Sequence, residues 1–322
     1  MAIPWIGRGT ALGWGAPEAT WGLIPSTARA KWAGVESATM VEQEERDMVP
    51  HLWQSDDGFE QDTYSTQRVS AGSTSMPMRY DLLGYLLDAC VGAVGVTTGA
   101  GPSYDHKWQP SASADPVSLA LEVIRGKSGE SEVFVGSKVA SWALSMAVGQ
   151  PMMLEIEWLP GQSEAARGSA PTPSQPSTTL FVLHNHAGTL SYNGSTYEIR
   201  SFEFRVDNAL TENRELGSLT TSEQSIDGMR TARMSVDFAA RNSDFYTANR
   251  ASTSSDAIVI FTRPTTTETL TIKGRRAQVE PINDGITGPG VIEATAEFRC
   301  RGDGSTAAYE IAISNTQANR FD

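Results

Sequence analysis

The stretch GRGTALGWGAPEATWG, residues 7–22, holds Gly7, Gly9, Gly13, Gly15 and Gly22. Such a density of glycine could cradle phosphate through free backbone N–H groups at a helix N-terminus. That chemistry needs a buried strand before the loop, a helix after it and usually a lysine for the terminal phosphates. Only MAIPWI precedes Gly7, the next lysine is Lys31, and Pro17 and Pro25 interrupt any helix that could aim its dipole here. The residues fit an extended arm better. Glycine lets the backbone lie close to a neighbouring surface, and Trp5, Trp14 and Trp21 supply large apolar contacts that something must cover.

His184 and His186, at i and i+2, would share one face of a strand. A metal needs more ligands than two, and no neighbouring cysteine or acidic cluster completes a set. No G-x-S-x-G elbow is present, and nothing ties Ser, His and Asp into a triad. No catalytic, cofactor or metal residue is therefore assigned. The carboxylate pairs Glu155 with Glu157 and Glu293 with Glu297 alternate with strand side chains, which marks the outer face of a sheet and not an acid–base pair. Arg301-Gly302-Asp303 spells an adhesion tripeptide inside RCRGDGS, a natural turn between a strand ending near Cys300 and one near Tyr309. Asn193-Gly194 predicts a two-residue hairpin turn.

The 322 residues suffice for two domains of ordinary size. Hydrophobic residues at 39%, charged residues at 20%, 29 glycines and 16 prolines describe a turn-rich folded protein, expected to be mainly β. The net charge of −13 leaves no basic stripe to neutralise phosphates, which excludes ordinary DNA binding. Cys90 and Cys300 offer no metal spacing and no multi-bridge framework. The N-terminus lacks a signal-peptide pattern, and no apolar run approaches the roughly 18 residues of a spanning helix. A soluble protein made in the cytoplasm, with no membrane partner, is expected.

Period-two alternation sets the elements. In WALSMAV, Trp142, Leu144, Met146 and Val148 share a face; in LEIEW, Leu154, Ile156 and Trp158 oppose Glu155 and Glu157; in SFEFRVD, Phe202, Phe204 and Val206 oppose Glu203, Arg205 and Asp207. Strands with one wet and one dry face make antiparallel sandwiches or barrels. YDLLGYLLDACVG predicts a helix, with Leu83, Leu86, Leu87 and Cys90 on one stripe, Asp81 as N-cap and Gly92 as stop. Cys90 on that stripe reads as a small buried hydrophobe.

Sliding the chain along itself aligns MPMRYDLLGYLLDAC from Met76 with MSVDFAARNSDFYTAN from Met234, each a strand and then a short helix. VGSKVASWALSMAVGQPMMLEIEW from Val135 aligns with KGRRAQVEPINDGITGPGVIEATAEF from Lys273, and WAGVESATMVEQEER from Trp32 with YNGSTYEIRSFEFRVDN from Tyr192. The first copy carries an insertion of about twenty residues around VTTGAGPSYDHKWQPS. The order of elements predicts a duplication: an N-terminal arm over 1–27, one β domain over 28–160, a Pro/Ser/Gly-rich linker over 161–177, a second β domain over 178–305 and a C-terminal strand or arm over 306–322.

With these elements in order, the chain resembles the major tail protein of long-tailed bacteriophages, the tail tube protein. GRGTALGWGAPEATWGLIPSTA, the strand and helix at 75–91, VFVGSKVASWALSMAVGQPMMLEIEW, SYNGSTYEIRSFEFRVDNAL and GPGVIEATAEFRC carry the resemblance. It implies two tandem β-sandwich or barrel domains, each with a short flanking α-helix, that complete a closed inner β-barrel on oligomerisation. It also implies a virion protein assembled in host cytoplasm, whose stacked rings form the conduit for the genome. The implied partners are further copies of the chain, a tape-measure protein inside the tube, and tail terminator and tail-tip proteins, with DNA in transit only. If both copies line the ring, a trimer with pseudo-sixfold symmetry follows; a hexamer is the alternative. Trp5, Trp14 and Trp21 become candidates for contacts between rings. Lumen-facing acidic candidates are Glu42, Glu44, Asp56, Asp57, Glu60, Asp62, Asp207, Glu212, Glu215, Glu223 and Asp227. Competing readings are a carbohydrate-binding β-sandwich, with Trp53 and Trp108 as stacking platforms, and the tube protein of a contractile injection device.

Overall fold

A computed structural model of the chain describes residues 10–23, 31–48, 63–93, 95–100, 103–111, 116–124, 131–167, 181–186, 188–238, 243–264, 266, 268–281 and 294–319. These residues form twenty-one strands and two helices, the mainly β class that the alternation predicts. In order they are β1 (Ala11–Trp14), β2 (Lys31–Gly34), β3 (Ser37–Ala38), β4 (Val41–Met48), β5 (Thr63–Pro77), α1 (Gly84–Val91), β6 (Val96–Ala100), β7 (Ser103–Trp108), β8 (Leu119–Ile124), β9 (Ser131–Ala147), β10 (Met153–Leu159) and β11 (Gln162–Arg167). There follow β12 (Thr189–Tyr192), β13 (Ser195–Glu198), β14 (Ser201–Asp207), β15 (Leu210–Asn213), β16 (Glu223–Ile226), β17 (Thr231–Phe238), α2 (Ser243–Arg250), β18 (Ser254–Thr262), β19 (Thr269–Val279), β20 (Ala294–Cys300) and β21 (Tyr309–Asn315).

The strand pairings fall into two sets. In the first half β1 pairs with β2 and β8, β5 with β4 and β10, and β9 with β8, β10 and β11. In the second, β12 pairs with β13 and β18, β17 with β14 and β20, and β19 with β18, β20 and β21. Two pairs join the halves, β9 with β14 and β7 with β21. The hairpins β6–β7 and β15–β16 have no counterpart; the former is the insertion seen in the sequence.

The joint makes one continuous run, β4–β5–β10–β9–β14–β17–β20. Its dry face is the alternating set Trp142, Leu144, Leu154, Ile156, Trp158, Phe202, Phe204, Val206, Met234 and Val236, all buried. A second layer covers it. Tyr309 of β21 meets Trp142 at 6.0 Å and Phe204 at 5.4 Å between ring centroids, Phe261 of β18 meets Phe202 at 5.9 Å, and Tyr192 of β12 meets Phe298 at 5.0 Å. A single connected core therefore runs through both halves, and each large apolar side chain fully withdrawn from water stabilises it by about 1.5–3 kcal/mol. The sheet does not close into a barrel among the described residues of one chain.

The helix stripe is buried as predicted, at Leu83, Leu86, Leu87 and Cys90, and Gly92 ends α1 in the left-handed conformation. Burial pushes the Cys90 thiol well above its usual range. The N-cap differs from expectation: the capping position is Leu83, with no side-chain cap bond, because the Asp81 carboxylate is taken by Arg79 at 2.7 and 3.0 Å. In WALSMAV the shared face stops early: Val148 lies beyond β9 in a turn and is 70% exposed. Asn193 and Gly194, with φ of 49° and 80°, make the predicted hairpin turn between β12 and β13, a backbone shape that these residue types adopt readily.

Two segments read as arm and linker are paired strands, and the expected C-terminal strand sits inside the sheet. Ala11–Trp14, read as part of an arm, is β1, paired on both sides by β2 and β8. Gln162–Arg167, read as the start of a linker, is β11, paired with β9. The C-terminal strand β21 lies between β19 and β7, inside the sheet. In each case ladder hydrogen bonding recruits a short segment whose composition alone looks like a terminus or linker.

Candidate functional site

The wet face of the long sheet is built by the same alternation that fills the core. Opposite each buried residue stands a small or charged one. Along one row Ser75 faces Glu155, Glu155 faces Ala143, Ala143 faces Arg205, Arg205 faces Arg233 and Arg233 faces Arg299. In the next, Met153, Ser145, Glu203, Ser235 and Glu297 stand in line, and in another Ser73, Glu157, Ser141, Asp207 and Thr231. Across these strands and Asp237, six carboxylates (Glu155, Glu157, Glu203, Asp207, Asp237, Glu297) oppose three guanidiniums (Arg205, Arg233, Arg299). The excess of three negative charges sits among serine, threonine and alanine.

Local bonds hold only part of this face. Ser141 donates to Glu157 at 2.7 Å, Thr295 donates to Asp237 at 2.5 Å, Ser201 donates to the other oxygen of Asp237, and Arg233 reaches Glu280 at 3.5 Å. Glu155, Glu203, Arg205, Glu297 and Arg299 remain directed at solvent. Two open hollows of about 380 and 360 Å³ dent the face, lined largely by serine, alanine and carboxylates. Nothing here brings a nucleophile to a base; the surface is broad, mixed in charge and acidic on balance.

The sequence-level acidic candidates distribute unevenly. Asp207 lies on this face. Glu212, Glu215, Glu223 and Asp227 belong to the β15–β16 hairpin and its flanks, beyond the end of β14, where Glu212 pairs with Arg214 at 2.6 Å and Glu223 with Lys138 at 3.0 Å. Glu42 and Glu44 stand opposite Ser70 and Arg68 on the β4–β5 hairpin. Asp56, Asp57, Glu60 and Asp62 lie outside the described residues. The face residues that the candidate set omitted, Glu155, Glu157, Glu203, Asp237 and Glu297, carried the clearer signal, strict alternation with buried apolar neighbours.

The three tryptophans differ in placement. Trp14 is fully buried in β1. Trp21 rests on Gly136 and Gly161, where an added Cβ would stand 2.7 and 2.3 Å from the indole, and its Nε1 donates to Gln224 at 2.9 Å. Trp14 finds its cover within its own chain, whereas Trp21 is half-buried there; Trp5 lies outside the described residues. The anion that meets the glycine-rich segment is its own Glu18, whose carboxylate accepts from Gly22 N at 3.0 Å, from Gly136 N of β9 at 2.8 Å and from Ser118 Oγ at 2.8 Å.

Trp108 is buried and donates to Asp88 at 2.8 Å, which removes it as a sugar-stacking platform; Trp53 and His51 lie outside the described residues. The histidine pair sits on a turn and not a strand: His184 is exposed, while His186 is buried with Nδ1 2.9 Å from the Tyr80 hydroxyl. Burial, then the charges of Arg263 and His184, hold the His186 imidazole below its usual value. The Arg301-Gly302-Asp303 segment is a turn; hydrogen bonds from Ser305 Oγ and from the N–H groups of Thr306 and Ser305 hold the Asp303 carboxyl at about 2.

The described residues thus define a mainly β protein with a broad charged sheet face. The chain belongs to the phage tail tube protein family, whose model matches residues 7–300 of 322. It is thus a structural component of a phage tail. Comparison with individual curated proteins gives no match. No helix among the described residues is long and apolar enough to cross a membrane.

Proposed function

We propose that the chain polymerises as stacked rings into the tail tube and that the wet face of β5–β10–β9–β14–β17–β20 lines the lumen through which the genome passes. The single observation that carries this reading is the continuity of that face across both halves through the β9–β14 joint. Two sets of like pairings support a tandem duplication in which each half contributes an equivalent stretch of inner wall. A ring then needs three chains to present six such stretches, in preference to six chains with one half decorating the outside. Closing the wall would leave no lateral strand edge exposed.

The charge balance suggests how transit stays free. Duplex DNA carries one charge per about 1.7 Å. A basic wall would hold it at many points, whereas a wall with two carboxylates for each guanidinium repels it within the screening length of about 8 Å at physiological salt. The scattered arginines keep that wall from a single-sign field. A tape-measure protein would occupy the lumen before DNA, and terminator and tip proteins would cap the two ends.

Negative-stain microscopy of the purified protein tests the reading. Hollow tubes with a regular axial repeat and three chains per layer are expected. A stable monomer that forms neither rings nor tubes overturns assembly, and six chains per layer overturns the trimer.

A further inference from the structure

Two of the described histidines are buried, and their hydrogen bonds differ in kind. His106 of β7 sets Nε2 3.1 Å from both Asn315 Oδ1 and Gln317 O, and Nδ1 3.0 Å from Thr97 Oγ1. The Gln317 carbonyl can only accept, so Nε2 carries a hydrogen, while the Thr97 hydroxyl can donate or accept. A second proton on that ring would break no bond.

His186 is the reverse case. Its Nδ1 accepts from the Leu183 backbone N–H at 3.3 Å and lies 2.9 Å from the Tyr80 hydroxyl. A backbone N–H can only donate, so Nδ1 must present its lone pair, Tyr80 donates to it, and the ring hydrogen sits on Nε2. A proton on Nδ1 would point at the Leu183 N–H and strip that donor of its acceptor. Burial disfavours the charged ring first, and the like charges of Arg263 and His184 add to it. Glu268 faces Tyr80 and is shared with Arg263 at 3.8 Å, while Arg79 and Asp81 neutralise one another at 2.7 Å.

What His186 holds is the short segment 181–186, where the chain enters its second half. Phe181 lies 5.1 Å from the Arg79 guanidinium. Val182 is fully buried; its N–H donates to Met78 O at 2.9 Å and its carbonyl accepts from Met152 N at 2.9 Å. His186 N closes the turn onto Leu183 O at 3.0 Å, and isolated bridges set Phe181 beside Arg79 and Leu183 beside Pro151. The segment thus fastens the end of β5 to the start of β10 through a handful of bonds, the kind of unit that opens without global unfolding.

We infer that residues 181–186 form an acid-released latch: proton uptake at His186 Nδ1 displaces the Leu183 N–H, opens the turn and frees Val182 from between Met78 and Met152, while the His106 joint between β7 and β21 stays closed. This goes beyond the tube reading and needs no second copy of the chain.

Hydrogen exchange of the full-length chain, read by mass spectrometry and corrected for the intrinsic pH dependence of amide exchange, tests it. From about pH 7.5 to about pH 5, opening over 181–186 should rise about tenfold while protection over 104–108 and 311–315 holds. His186→Asn offers an acceptor that does not titrate, and should keep the segment closed at both pH values. Tyr80→Phe removes the hydroxyl that shares the Nδ1 lone pair, and should move the opening to higher pH. Wild-type exchange over 181–186 that is indifferent to pH, an equal rise over 104–108, or an equal acid-driven rise in His186→Asn overturns the inference. Should His186→Asn not fold, Tyr80→Phe decides: an opening that stays at the wild-type pH or moves lower overturns it.

Discussion

The β4–β5 and β15–β16 hairpins, which meet where Arg68 N donates to Leu219 O, end differently. In the first half β4 continues beside β5, with one register shift between Glu45 and Arg46, past the last residue that pairs with β10. The second hairpin breaks from its parent strands: Asn208 and Ala209 separate β14 from β15, and residues 227–230 separate β16 from β17. Ala209 and Gly228 adopt φ of 51° and 148° there. The bent hairpin then docks on its own chain. Lys138 donates to Glu223 at 3.0 Å and to Gln224 O at 2.7 Å, Trp21 donates to Gln224, and Gln224 Nε2 donates to Leu159 O at 2.8 Å. Its loop meets the first hairpin through Arg68 N to Leu219 O at 2.7 Å. A few buried polar residues, not strand propensity, decide which hairpin continues the sheet and which folds over it.

The largest effect is expected at the bend. Asn208 is fully buried and its Nδ2 donates to Cys90 O at 3.1 Å and Val139 O at 2.9 Å. Asn208→Ala leaves both carbonyls without that donor and should cost about 2–4 kcal/mol, read as a lower denaturant midpoint at unchanged slope. Gly161→Ala puts a methyl group against Trp21, 2.3 Å from its ring in the present arrangement. Loss of the indole seat should cost about 1–3 kcal/mol, with a red-shifted and more quenchable tryptophan emission.

Lys138→Ala removes the buried ammonium from under the second hairpin. A cost of about 1–2 kcal/mol is expected, with faster amide exchange confined to 210–226. Unchanged exchange there would mean that the contacts of Trp21, Gln224 and Arg68 hold the hairpin without the lysine.

Acid provides the smallest and least selective effect. His186 lies away from both hairpins, and its folded-state pKa is depressed by burial. The unfolded chain binds this proton more readily, so stability falls as pH drops below about 6.5, towards the lowered folded value, and recovers above it. His186→Gln should flatten that part of the stability profile without changing the relative protection of the two hairpins.

Much of the fold was legible because burial and alternation are the same fact. LEIEW and SFEFRVD announce both a dry face and a wet one, the leucine stripe of α1 needs no tertiary information, and Asn193-Gly194 dictates its turn. The wet face is legible in the same letters, at Glu155, Glu203 and Glu297. What could not be read depends on partners distant in the chain. Glu18 looks like an ordinary surface acid until Gly136 and Ser118 arrive beside it, and Gln162–Arg167 is linker by composition and strand by pairing. Trp108 is an exposed platform or a core residue according to whether Asp88 lies beneath it.

That both hairpins leave the sheet in one direction has a further consequence. If the chains stack as proposed, the two rims of a layer would differ: one would carry the β15–β16 hairpin and the other the blunt turn at Val148 and Gly149. Elongation at the two tips would then obey different chemistry, and a stopper moulded to one rim would find no purchase on the other.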